Sequence, residues 1–273
     1  MNYWKISLLL ATRLLLIPLT GCSLKDEIIK ESLPKLSEQD VVKALEHEGF
    51  RLESTTAENS LEDEVNLNPA AYKINNTEDK LFIYTFNFIA DRKEVFPERT
   101  ASENDNSKLF SAKNVVILYR AADDSPYFIN NISIIEEVVF SQLHDLKHVT
   151  FEGEGDIFDV LLDVNYYEYE WNDRDGNTNR EILGRTSSTI TYKGETAEQI
   201  TELILSYSWQ KDGEEINQER RVFSASVFDE EHVYSFRQSP FKNDFPRKNN
   251  VVDLIVKTNG VEESFQITGK PVN

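Results

Sequence analysis

Two hydrophobic rhythms divide the chain. Up to about residue 148, helical and alternating stretches are mixed; beyond it, alternation dominates. In SEQDVVKALEHEGF (37–50), Val41, Val42 and Leu45 cluster on one side of a helix. Ser37 stands where an N-cap belongs, Asp40 three positions on can close a shortened capping box, and Gly49 supplies a stop. An irregular acidic stretch containing NLNPAAY follows. KLFIYTFNFIA (80–90) reads as a strand, with Phe82, Tyr84, Phe86 and Phe88 on one face and Leu81, Ile83 and Ile89 on the other. Both faces should be at least partly covered. Residues 91–113 are polar and aperiodic and are expected to form a mobile loop. VVILYRA (115–121) predicts a second strand. NNISIIEEVVFSQLHDL predicts a second helix with Ile132, Ile135, Val139 and Leu143 on one stripe. Helix, strand, strand, helix makes a small α+β unit over 37–148.

From 149 to 273 the chain reads as a series of short strands: DIFDVLLDVNYYEYEW, SSTITYKG, ITELILSYSWQ, RRVFSASVF, HVYSF, VVDLIVKT and VEESFQITG. Asp175-Gly176, Asp212-Gly213 and Asn259-Gly260 punctuate them, pairs that tolerate the positive φ of tight hairpins. This spacing predicts an antiparallel β-sandwich, immunoglobulin-like in kind, although the Cys…Trp…Cys hallmark is absent. The fold class expected for the whole chain is therefore α+β.

Composition sharpens the functional picture. With 29 Lys plus Arg against 48 Asp plus Glu, the net charge is −19. Residues 1–21 hold Lys5 and Arg13 and no acid, so the remainder carries 27 minus 48, or −21. Such a body should repel nucleic acid and anionic lipid. The chain has one cysteine, so no intrachain disulfide can form and burial must supply the stability.

That cysteine, Cys22, follows MNYWKISLLLATRLLLIPLTG, a basic start and an apolar run with the layout of an export signal. Arg13 interrupts the run, and an arginine at the centre of a spanning helix costs about 2.5–3.5 kcal/mol. A permanent span is thereby disfavoured. Leu19-Thr20-Gly21-Cys22 resembles the lipobox of bacterial lipoproteins. The resemblance implies cleavage between Gly21 and Cys22 and a diacylglyceryl group on the Cys22 thiol. It makes 1–21 a lipoprotein signal peptide and 22–36 a charged tether, and places the body on the extracytoplasmic face of a cell membrane. The layout is similar to that of uncharacterised lipoproteins of Gram-positive bacteria. Two acyl chains suffice for stable anchoring.

Candidate chemistry in the body is sparse. WNDRDGNTNREI (171–182) gathers Asp173, Asp175, Asn177 and Asn179 around Gly176. Trp171 and Ile182 occupy the positions where a calcium loop needs acids, so a polar hairpin is expected. His144 and His148, four apart in HDLKH, could share a helical face and hold a metal, but Asp145 replaces the glutamate of the zinc-protease pattern. No G-x-S-x-G elbow and no glycine-rich phosphate loop occurs. The aromatics of NYYEYEW could offer a carbohydrate platform, and the Tyr166–Tyr167 pair should point to opposite faces with one ring exposed. No cofactor and no catalytic residue is expected. The reading that follows is a membrane-anchored, non-catalytic binding or adaptor module with an envelope protein as partner. The alternatives are a metal-assisted envelope hydrolase using His144 and His148, and the substrate receptor of a transporter.

Overall fold

A computed structural model of the chain describes residues 34–57, 68–97, 106–224, 226–238 and 244–271. Gly21, Cys22, the expected signal peptide (1–21) and most of the expected tether (22–36) lie outside the described residues. None of the helices among the described residues is long and apolar enough to cross a membrane.

Helix α1 (Glu38–His47) begins as its sequence dictates: the Asp40 amide donates to Ser37 Oγ at 3.3 Å, and the Ser37 amide donates to Asp40 Oδ2 at 2.8 Å. Gly49 ends the turn at φ +91°. Five antiparallel strands follow: β1 (Leu52–Thr55), β2 (Ala70–Ile74), β3 (Lys80–Thr85), β4 (Ser107–Ala112) and β5 (Val115–Arg120), in the order β1-β2-β3-β5-β4. Helix α2 (Ile89–Val95) lies between β3 and β4, and α3 (Phe128–Ser141) follows β5. One sheet face, including Leu81, Ile83, Ile117 and Tyr119, packs with Val41 and Leu45 of α1 and Ile135 and Val139 of α3. The other carries Phe82, Tyr84, Val116 and Leu118 against Phe86 and Phe96. The two-faced burial expected of the central strand is thus present.

Several boundaries differ from the sequence reading. The strand expected over 80–90 stops at Thr85, where the chain turns into α2. The loop expected over 91–113 contains the rest of α2 and all of β4, while 98–105 lie outside the described residues. Polar strand SKLFSA hides its period because only Phe110 and Ala112 are fully buried. Strands β1 and β2 occupy the stretch read as irregular. Helix α3 closes at Ser141, before HDLKH, so His144 and His148 do not share a helix.

Beyond it, the chain forms strands β6 (Lys147–Glu154), β7 (Phe158–Asn172), β8 (Thr178–Tyr192), β9 (Glu202–Lys211), β10 (Glu214–Phe223), β11 (Val233–Arg237), β12 (Val251–Thr258), β13 (Glu262–Thr268) and β14 (Lys270–Pro271). They make two antiparallel sheets, ordered β11-β8-β7-β6-β14 and β10-β9-β12-β13. Phe151, Leu162 and Val164 of the first share a core with Leu205, Trp209, Val252 and Leu254 of the second. Alternation is strict in β12, where Val252, Leu254, Val256 and Thr258 face in. The Asp212-Gly213 turn has φ of 52° and 86°, the geometry of a two-residue hairpin between β9 and β10. The two sheets are lashed at one end by Glu263 of β13. Its carboxylate accepts from the successive amides of Asp156 (2.6 Å), Ile157 (3.2 Å) and Phe158 (2.8 Å).

Strand β7 changes its buried face along its length. From Phe158 to Tyr166 the even positions enter the core shared by the two sheets; beyond that, Tyr167 and Tyr169 are buried on the opposite face. Neither Tyr166 (7%) nor Tyr167 (5%) is exposed, which corrects the expectation that one ring would be. Their side chains do point to opposite faces, but the outer face is covered too, by the N-terminal unit.

A candidate site at the junction of the two units

The outer face of β7 and β8 is set by strand alternation and register. Tyr167 pairs with Leu183, Tyr169 with Glu181 and Trp171 with Asn179, so these six side chains share one surface. Ile89 at the start of α2 and Phe140 near the end of α3 pack onto it. His144, just past α3, lays its ring on Tyr167 at 3.6 Å between centroids with 10° between planes. Tyr169 continues the stack 5.6 Å from Tyr167.

Into this aromatic surface the N-terminal unit inserts two cations. Arg92 is fully buried, and its Nη2 donates to Glu181 Oε2 at 3.4 Å and to the Tyr169 hydroxyl at 3.5 Å. Lys93 Nζ approaches Glu181 at 2.6 Å and lies 5.6 Å from the Trp171 ring centroid. Tyr167 donates to the other Glu181 oxygen at 3.2 Å. Burial alone would raise the Glu181 carboxyl, but Arg92 and Lys93 outweigh it and hold the group down at about 2. Burial pushes the His144 imidazole down to about 3, against the opposing pull of Glu181, and its Nδ1 has no hydrogen-bond partner. Burial likewise drives the Tyr169 phenol well above its usual range. Near neutral pH the junction therefore holds the ionised Glu181 carboxylate between Arg92 and Lys93, a neutral His144 imidazole and a neutral Tyr169 phenol.

Two openings flank this plug. On one side Arg185 stacks its guanidinium on Phe140 at 4.2 Å and pairs with Glu137 and, at 3.5 Å, with Glu136. Arg237 joins Glu137 at 3.3 Å. A hollow of about 190 Å³ lies beside them. On the other side a cleft of about 700 Å³ runs between α2 and the tip of the β7–β8 hairpin, lined by Lys93, Glu94, Trp171, Arg174, Asp175 and Glu181 among others. Its wall is fixed by the hairpin loop. Asp173 accepts from the Asn177 side chain (3.1 Å) and amide (2.8 Å), from the Asn179 side chain (3.3 Å) and from the Asp175 amide (3.0 Å), and these donors pull its carboxyl below its usual range. Arg174 bridges back to Asp91 at 3.1 Å and Glu94 at 3.0 Å on α2.

The sequence-derived candidates are distributed as follows. The 171–182 stretch is a polar hairpin, and its acids serve the turn and the cleft wall. His144 belongs to the junction core. His148 lies on β6 with Nε2 3.1 Å from Asp163 Oδ1, an oxygen that also accepts from Thr150 at 2.9 Å. The two imidazoles are thus committed to different neighbours, and among the described residues no group of three or more His, Cys, Asp or Glu is placed to hold a metal ion. Arg92, Lys93 and Glu181 escaped sequence reading: the cations sit in a stretch read as loop, and Glu181 is one of many acids. The only available signal was the NYYEYEW run opposite REIL, which places aromatics and a carboxylate on one strand face. No family model matches this chain, and neither a curated protein nor a solved structure matches it.

Proposed function

We propose that this chain is an extracytoplasmic, lipid-anchored binding or adaptor module, held at Cys22 and presenting a ligand site at the junction of its two units. The observation that carries the binding part is the open cleft beside a locked ionic plug. Its size falls within the range of about 300–1,000 Å³ usual for small-molecule sites. The groups most strongly shifted in pKa at the junction are already committed: Glu181 to two cations, His144 to Tyr167. That arrangement favours positioning over proton transfer. The anchor rests on the Leu19-to-Cys22 motif after its apolar run. An immunoglobulin-like relation for the C-terminal unit rests on the two-sheet arrangement alone, because β6, β7 and β8 are neighbours within one sheet. The hydrolase alternative draws no support from the separate partners of His144 and His148.

Fractionation of cells producing the wild type and Cys22→Ala tests the proposal. The wild type should sediment with membranes and partition into detergent, and Cys22→Ala should be released or remain unprocessed. Membrane retention of both forms at identical size would defeat the anchor. Cross-linking of the membrane-held wild type should join it to an envelope component.

A further inference from the structure

We propose that the 700 Å³ junction cleft takes an uncharged oligosaccharide, an inference that rests on reading the chain as a binding module. Three features of the wall specify that chemistry. First, its charges nearly balance, and each of its cations is already paired. Lys93, Arg174 and Arg180 face Glu94, Asp173, Asp175 and Glu181, three cations against four carboxylates. Lys93 is held by Glu181, Arg174 by Asp91 and Glu94, and Arg180 by Glu168. An anionic ligand would have to displace one of these pairs, whereas a neutral one need not.

Second, the lining mixes donors and acceptors: guanidinium, ammonium, carboxylate and the Asn179 amide. A sugar hydroxyl both donates and accepts, so vicinal hydroxyls match such a wall, and bonds to ionised groups are the stronger kind. Third, the half-buried Trp171 indole lines the same opening with Ala90 and Pro97. These give an apolar surface for the C–H face of a pyranose, the combination of aromatic wall and few fixed polar groups typical of small-molecule sites. The wall is also preorganised. The Asp173 turn and the Arg174 bridge to α2 fix it before a ligand arrives, which lowers the ordering cost of binding.

Calorimetric titration of the full detergent-solubilised protein tests this, with uncharged tetrasaccharides of glucose and of N-acetylglucosamine as probes. A doubly blocked alanine tetrapeptide and a uronic acid tetramer serve as comparators. Saturable binding of an uncharged tetrasaccharide is expected, weakened about tenfold or more by Trp171→Ala. Asp175→Ala, on an exposed turn, should also weaken it and guards against misfolding of the tryptophan variant. Tryptophan emission should shift on binding, with Trp209 buried in the sandwich core and silent. Absence of binding by either tetrasaccharide would overturn the assignment, as would binding that both substitutions leave unchanged. Saturable binding of the blocked peptide or the uronic acid alone would overturn the sugar assignment and leave the binding-module reading standing.

Discussion

Replacing His144 by phenylalanine should remove a defined part of the protein's sensitivity to mild acid. The imidazole is buried against Tyr167, and burial lowers its pKa from 6.5 to about 3. In the unfolded chain it takes up a proton as the pH falls through 6.5; in the fold it does so only near 3. Between those values the unfolded state binds more protons, so stability rises with pH across the window and falls on acidification. One unit of displacement is worth about 1.4 kcal/mol. Taking the protein from about pH 7.5 to about pH 5 therefore costs about 2 kcal/mol through this one ring. Glu181 does not confuse the measurement. Its depressed pKa contributes stability that is complete above its ordinary 4.5 and is lost only as the pH falls toward about 2. Phenylalanine preserves a flat ring on Tyr167 and has no proton to gain. Urea unfolding at the two pH values, followed by tryptophan fluorescence, gives the loss for each protein. The wild type should lose about 2 kcal/mol more than His144→Phe, because the other three histidines are common to both. Equal losses would refute the claim that His144 is held neutral in the junction.

Other consequences follow from packing. A Cβ on Gly184 would collide with the Phe245 ring, so Gly184→Ala should destabilise by about 1–3 kcal/mol, with partial recovery when Phe245→Leu is combined with it. Denaturant midpoints of the four proteins measure that coupling; strict additivity would contradict the contact. Glu263→Ala should cost about 1–3 kcal/mol and accelerate hydrogen exchange at the amides of Asp156, Ile157 and Phe158, which lose their shared acceptor. Unchanged exchange at those three amides would show that the lash between the sheets is not made in solution.

The legible parts of the fold were those in which one local signal decides the outcome. The α1 start was readable because Ser37 and Asp40 satisfy each other within four residues. Strands β9 and β12 were readable because one face is buried from end to end, and the Asp212-Gly213 hairpin because both residues adopt positive φ. Failures arose where burial is set by a distant element. In β7 the hydrophobic rhythm slips at Tyr166-Tyr167 because the second half of the strand faces α3 and α2, which no window of local sequence contains. Helix α2 was hidden in a polar stretch for the same reason: Arg92 is buried by Glu181 and Tyr169, about 80 residues away in the chain. Strand β4 was hidden because only two of its six positions are buried. The site inherits this difficulty. Asp173 and Trp171 could be found as a turn and an aromatic run, but their opposition to Lys93 and Glu94 exists only once the two units meet.

The central claim, a ligand-presenting module tethered by a lipid at Cys22, is tested most directly by the intact mass of the protein extracted from membranes with detergent, combined with sequencing of its N-terminal peptide. The account predicts a chain that begins at Cys22 and carries a diacylglyceryl group on the thiol. A chain that still begins at Met1, or one that begins elsewhere with an unmodified Cys22 thiol, would contradict it.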